Sequence, residues 1–192
     1  MKRALWLLFG CLWLGIARPD GAPSLVAGIF TPPRLAPDFS LRGTDGRELR
    51  MRDFRGKVLL LAFGYAHCTA VCPLTLSVLA EARRQLGDRA QDVQVIYVTV
   101  DPERDDVEHL RQFVTRFDPS NLGATGTPAE LALVRRDYGI SLGAKLPSGS
   151  DYALAHSSFI YLIDRQGRLR ALMPFGHTAE DFAHDLRILA QE

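Results

Sequence analysis

The sequence predicts an α/β domain built on a mixed sheet with helices over both faces, and three observations carry that reading. Two continuous apolar runs of strand length, "VLLLAFGY" at 58–65 and "VQVIYVTV" at 93–100, have the composition of strands buried on both faces. Segments with helical spacing of apolar residues separate and follow them. Near the C-terminus "SSFIYLID" meets "RLRALM" across a Gln166-Gly167 turn, which predicts an antiparallel hairpin. Strands alternating with helices and finished by such a hairpin give a mixed sheet rather than a purely parallel one.

The elements follow in chain order. Lys2 and Arg3 precede the apolar run "ALWLLFGCLWLGI", and Arg18, Pro19, Asp20 and Gly21 close it. The run is shorter than the roughly 20 residues a membrane span needs, so residues 1–22 read as a signal peptide or short N-terminal anchor. Cys11, inside it, reads as an apolar leader residue. Residues 23–36 read as a linker and 37–192 as one domain. That domain opens with an N-terminal hairpin extension, because Thr44-Asp45-Gly46 lies between short alternating runs. After the first buried strand Pro73 suits a first helical position, and Leu74, Leu76, Val78, Leu79, Ala82 and Leu86 keep helical spacing up to Gly87. Further helices are predicted over Asp105 to Phe117, Pro128 to Tyr138 and Thr178 to Ala190.

At 192 residues and 47% hydrophobic content the chain can build one real core. Its formal net charge of +1, with 23 basic and 22 acidic residues and no basic run, excludes a nucleic-acid binder. The leader implies export, with the bacterial periplasm as the expected location and a tether to the inner membrane through the N-terminus. Such a compartment permits disulfides.

Without the leader two cysteines remain, Cys68 and Cys72, in "FGYAHCTAVCPLTL". A disulfide between them closes so short a loop that it removes only about 2 kcal/mol of unfolded-chain entropy, which makes it a poor staple. Helical geometry would set their α-carbons about 6.2 Å apart, inside the disulfide window, so the pair can open and close. Pro73 predicts that the helix begins there and that both cysteines lie in the loop before its N-terminus, where the helix dipole favours thiolates. A thiolate pair is also a soft metal grip. The one further ligand candidate is His156, in "LAHSSFIYLID", because the loop leading to that strand should lie beside the loop that leaves the first buried strand. Two thiolates and one imidazole suit copper(I) better than zinc, which prefers four ligands. His67 adjoins Cys68 and could tune it, while His109, His177 and His184 read as solvated. "DPERD", 101–105, reads as a turn with an N-cap and acidic first helical residues.

These segments resemble the Sco/SenC proteins, copper-delivery factors for cytochrome c oxidase. "FGYAHCTAVCPLTL" is similar to the family's CxxxCP segment, "VTVDPERDDVEHLRQF" to its second strand and following loop, and "AHSSFIYLIDRQGRL" to its histidine segment, over about Pro37 to Gln191. The resemblance implies a thioredoxin-like fold in which Cys68, Cys72 and His156 hold copper, as Cu(I) and in some states Cu(II). It also implies delivery to the binuclear copper site of cytochrome c oxidase subunit II, with periplasmic copper chaperones or thiol reductants as further partners. Thr69 and Ala70 stand where Pro and Asp are common in the family, and Ala155 where an acidic residue is common, which alters the charge around the metal. The alternative class is an exported thiol-disulfide oxidoreductase using Cys68 and Cys72. Peroxiredoxins share the "APDFSL" style of opening and a threonine three before the cysteine, but Tyr65 replaces their proline; thioredoxin-like reductases carry a cis-proline before the hairpin, and Ser150 to Asp164 contains none.

Overall fold

A computed structural model of the protein describes residues 24–149 and 151–192. The leader expected over residues 1–22 lies outside the described residues, and among these no helix is long and apolar enough to cross a membrane. The strands are β1 (Gly28–Leu35), β2 (Ser40–Gly43), β3 (Glu48–Arg50), β4 (Val58–Gly64), β5 (Val93–Thr99), β6 (Leu122–Thr125), β7 (Leu142–Ser148), β8 (Asp151–His156), β9 (Phe159–Ile163) and β10 (Arg168–Pro174). The helices are α1 (Val71–Arg84), α2 (Val107–Thr115), α3 (Pro128–Tyr138) and α4 (Ala179–Leu189).

Eight strands form one mixed sheet in the order β1-β10-β9-β4-β5-β6-β2-β3, while β7 and β8 form a separate two-stranded ribbon. β4, β5 and β6 are parallel; β9, β10, β1 and the β2–β3 hairpin pair antiparallel. Every residue of β4 and β5 is buried, as their unbroken apolar composition predicts. Successive side chains alternate faces. Tyr97, opposite Ala62 in register, meets Phe113 of α2 at 5.8 Å between ring centroids. Phe63 points the other way and meets Tyr138 of α3 at 5.6 Å. Helices therefore cover both faces. This is the thioredoxin-like mixed sheet with its N-terminal hairpin, β2–β3.

Three local signals place the helices. Thr127 and Thr178 each close a capping box, with Glu130 and Asp181 respectively, and Asp106 accepts a hydrogen bond from the His109 N–H at the start of α2. Gly139, at φ 67°, ends α3 in the left-handed conformation that glycine adopts without penalty.

The segment read as a linker holds β1, whose residues 28–35 run antiparallel to β10. Pro32 and Pro33 obscure the strand in the sequence, and the structure accommodates them on a sheet edge with a register irregularity between Ile29 and Arg34. The ribbon β7–β8 was not legible either: all seven residues of β7 are exposed, so no apolar alternation marks it.

Candidate metal and thiol site

The carboxyl end of β4 leads through Tyr65, Ala66 and His67 to Cys68, and α1 then starts at Val71. It starts two residues earlier than Pro73 suggests, so Cys72 lies in the first helical turn and not in the loop. Pro73 is tolerated there because the first turn's N–H groups need no helical partner. Ala70, at the N-cap, supplies no capping side chain. The backbone N–H groups of Cys72, Ala70 and Val71 at the start of α1 favour the Cys68 thiolate.

The two thiols are free and have opposite environments. Cys68 is half-buried, and a hydrogen bond from Cys72 together with the three N–H groups lowers its pKa to about 5, which makes it a thiolate at neutral pH. Cys72 is buried, and its hydrogen bond to Cys68 plus desolvation push its pKa far up, so the pair keeps one proton on Cys72. Burial, reinforced by the nearby Cys72, likewise raises Tyr97. Gly64 makes room for this arrangement: a Cβ there would lie 2.8 Å from Cys72 Sγ and run into the Tyr97 hydroxyl.

His156 ends β8, 84 residues beyond Cys72, and its Nε2 lies 3.8 Å from Cys72 Sγ. Its Nδ1 donates to the Ser157 carbonyl at 2.9 Å, which leaves the lone pair on Nε2, the atom that faces the sulfur. The Tyr65 ring stands edge-on to the imidazole at 6.0 Å, and its hydroxyl accepts from the Leu154 N–H at 3.2 Å. One tyrosine thus ties the cysteine loop to the strand that carries the histidine.

The "DPERD" loop does more than cap a helix. Arg104 lies over the Tyr152 ring at 3.5 Å and the Tyr65 ring at 5.5 Å, and pairs with Asp101 at 2.5 Å and Asp151 at 2.8 Å. The Tyr152 hydroxyl donates to Asp101 at 2.8 Å. Asp105 is fully buried; it accepts from the Ala66 N–H at 2.9 Å and the Thr99 hydroxyl at 2.6 Å, fixing the start of the cysteine loop. Burial raises the Asp105 pKa against the pull of those two hydrogen bonds. Sequence reasoning missed the roles of Asp101, Arg104, Asp105 and Tyr152; two acids and an arginine directly after a buried strand were the available signal. His177 and His184 take local carboxylate partners, Asp181 and Asp185. His109 is half-buried beside Asp105 and His67 rather than solvated.

Comparison with known proteins identifies the family and the fold. The family model described as SCO1/SenC matches residues 29–191. The bovine (Bos taurus) "Protein SCO2 homolog, mitochondrial" is 38% identical over 154 residues, covering 78% of this chain and 58% of its own length. The chain thus spans a little under three fifths of that relative. Among solved structures, Arabidopsis thaliana ScoI with copper bound is 29% identical with a TM-score of 0.76, over 82% of this chain and 99% of that one. Bradyrhizobium japonicum ScoI with copper bound is 35% identical with a TM-score of 0.73, over 81% of this chain and 99% of that one. The bacterial periplasm expected from the leader is not supported by the curated relatives, since those from cow, human, plant and yeast are named as mitochondrial proteins. The matched span, the relatives and the shared fold together establish that this chain belongs to the SCO1/SenC family.

Proposed function

We propose that the domain is a copper carrier in which Cys68, Cys72 and His156 hold one copper(I), and that it serves cytochrome c oxidase assembly by delivering the ion to the binuclear copper site of subunit II. The observation that carries the reading is the approach of His156 Nε2 to Cys72 Sγ, 3.8 Å, across 84 residues of chain. Two sulfurs and an imidazole whose lone pair faces the Cys72 sulfur form the soft donor set that selects copper(I). The copper-bound relatives of the same fold support it. Copper is the cargo here: Cys68 offers a thiolate at once, Cys72 surrenders its proton on binding, and His156 completes the set. Oxidation joins the two sulfurs and withdraws both thiolates, so metal loading and the disulfide exclude each other.

The test is a copper(I) competition titration of wild type, Cys68→Ser, Cys72→Ser and His156→Ala, reduced and oxidised. Reduced wild type should take one copper(I), and each substitution should weaken it by more than the roughly 10–100-fold typical of residues one shell away from a metal. Copper retained by the disulfide form, or His156→Ala binding as tightly as wild type, would sink the three-ligand site. A second reading, thiol-disulfide oxidoreductase, is favoured by the asymmetry of an accessible thiolate at Cys68 and a buried partner thiol at Cys72. Dithiol-dependent disulfide reduction that His156→Ala leaves intact would support it.

A further inference from the structure

Beside the cysteine loop, three side chains converge that the copper(I) site does not use. His67 comes from the loop, Asp105 from the end of the β5–α2 connection, and His109 from the first turn of α2, four residues beyond Asp105. Their ligand atoms all lie within 4.8 Å of one another. His67 Nδ1 is 3.6 Å and His109 Nδ1 3.9 Å from Asp105 Oδ1, and the two imidazole rings meet edge to face at 4.6 Å.

Asp105 supplies the second, independent sign. Its side chain is 0% exposed, and Oδ2 takes both hydrogen bonds that reach it, from Ala66 and Thr99. Oδ1 is buried with no hydrogen-bond partner and points to the two histidines. A buried carboxylate oxygen without a donor calls for an explanation, and an ion is one of the few available. The His109 Nδ1, the ring nitrogen nearer Asp105, also lies 3.0 Å from the Arg104 carbonyl and donates to it, so the lone pair is on Nε2 and ligation requires the half-exposed ring to turn that nitrogen toward the carboxylate. A backbone carbonyl holding one ring nitrogen so that the other can ligate is the usual arrangement around metal-bound histidines.

We propose that His67, Asp105 and His109 form a second cation site, one that takes copper(II) in preference to zinc. Two imidazoles and a carboxylate are a borderline, thiolate-free set, which suits a divalent first-row ion and not copper(I), and the affinity order for such sets puts copper(II) above zinc. Ligands about 2.0 Å from a square-planar or tetragonal copper(II) stand about 2.8 Å apart when adjacent and about 4 Å apart when opposite, so the three groups must draw together slightly. His67 and His109 can do so, being 35% and 40% exposed. His67 precedes Cys68 in the chain, so the two sites are neighbours with opposite preferences. The proposal does not rest on the copper(I) reading.

The experiment uses the full chain carrying Cys68→Ser, Cys72→Ser and His156→Ala, which removes the first site. Titration with copper(II), followed by electron paramagnetic resonance, should give one bound ion per chain with hyperfine splitting from two imidazole nitrogens. Adding His109→Ala should lower affinity at least tenfold and remove one nitrogen, and zinc should displace copper(II) only in large excess. His109 lies half-exposed on a helix, where alanine is the better helix former, so this variant folds. The same pair is compared in the otherwise wild-type chain oxidised to the Cys68–Cys72 disulfide, where the tenfold difference should recur. Copper(II) binding that His109→Ala leaves unchanged in both backgrounds, or no binding in either, overturns the site.

Discussion

Cys72 and His156 stand 3.8 Å apart, yet one is rooted in the most buried part of the molecule and the other ends a ribbon whose partner strand is entirely exposed. The cysteine side is positioned by packing: β4 and β5 are buried along their whole length, and Leu76 and Leu79 pin α1 at 0% exposure. The histidine side is positioned by a polar and aromatic clamp, Arg104 held between Tyr65 and Tyr152 and paired with Asp101 and Asp151. Dense packing gives a fixed position with little adjustment. A clamp of a few directional contacts on an exposed ribbon opens at lower cost, because few buried apolar contacts hold it. The difference implies that thiol chemistry and imidazole placement can be disturbed separately.

Gly64→Ala breaks the comparison at its root, because the added carbon meets Cys72 Sγ at 2.8 Å and the Tyr97 ring at the same distance, with no flexible neighbour to yield. Overpacking of this kind costs about 1–3 kcal/mol, and it should also displace Cys72 enough to impair copper(I) binding and disulfide formation together. Denaturant melts and copper titration on one preparation check it; wild-type values in both would mean that the floor is softer than argued. Arg104→Gln sharpens the comparison by loosening the clamp between the ribbon and Tyr65, while leaving the groups that stabilise the Cys68 thiolate in place. Copper(I) affinity should fall about tenfold, at the lower end of the range for groups that orient metal ligands, while Cys68 alkylation keeps its wild-type rate. A matching loss of Cys68 reactivity would show that the two halves are not independent.

What the sequence made legible follows the same division. β4, β5 and the four helices were readable because burial imposes a pattern: unbroken apolar runs for the strands, apolar spacing for α1, and Thr127-Pro128-Glu130 as a start signal for α3. The cysteine pair was readable from spacing alone. The approach of His156 was inferred from topology, since β9 lies next to β4 in the sheet. The ribbon itself was not, because its residues answer to contacts with Tyr65, Asp101 and Arg104 and not to a periodic face. The helix start was misplaced for a related reason: Ala70 at the N-cap carries no capping oxygen to mark it, and Pro73 fits anywhere in the first turn. His109 and Asp105 were read singly, and only the i, i+4 step of α2 beside the His67 loop brings them together.

The smallest effect is on proton uptake, and it separates the two sulfurs. With its pKa lowered to about 5, Cys68 should alkylate with iodoacetamide at a rate that rises through about pH 5 and levels off well below the usual thiol value of 9. Cys72, buried and protonated, should stay unmodified across that range. Cys72→Ala removes the main hydrogen bond that stabilises the thiolate, so the Cys68 midpoint should move up, though the backbone N–H groups of residues 70, 71 and 72 still hold part of the shift. The linkage has a definite sign. Between about pH 5 and 9 the unfolded chain keeps a proton on Cys68 that the native protein has lost, while Cys72 is protonated in both states. Reduced wild type should therefore gain stability from Cys68 as pH rises through that window and lose it as pH falls toward 5, and the slope should shrink in Cys68→Ser. Copper(I) binding at neutral pH then releases a single thiol proton, from Cys72. An alkylation midpoint near 9 in wild type would remove both the shared-proton description and the asymmetry between the two cysteines.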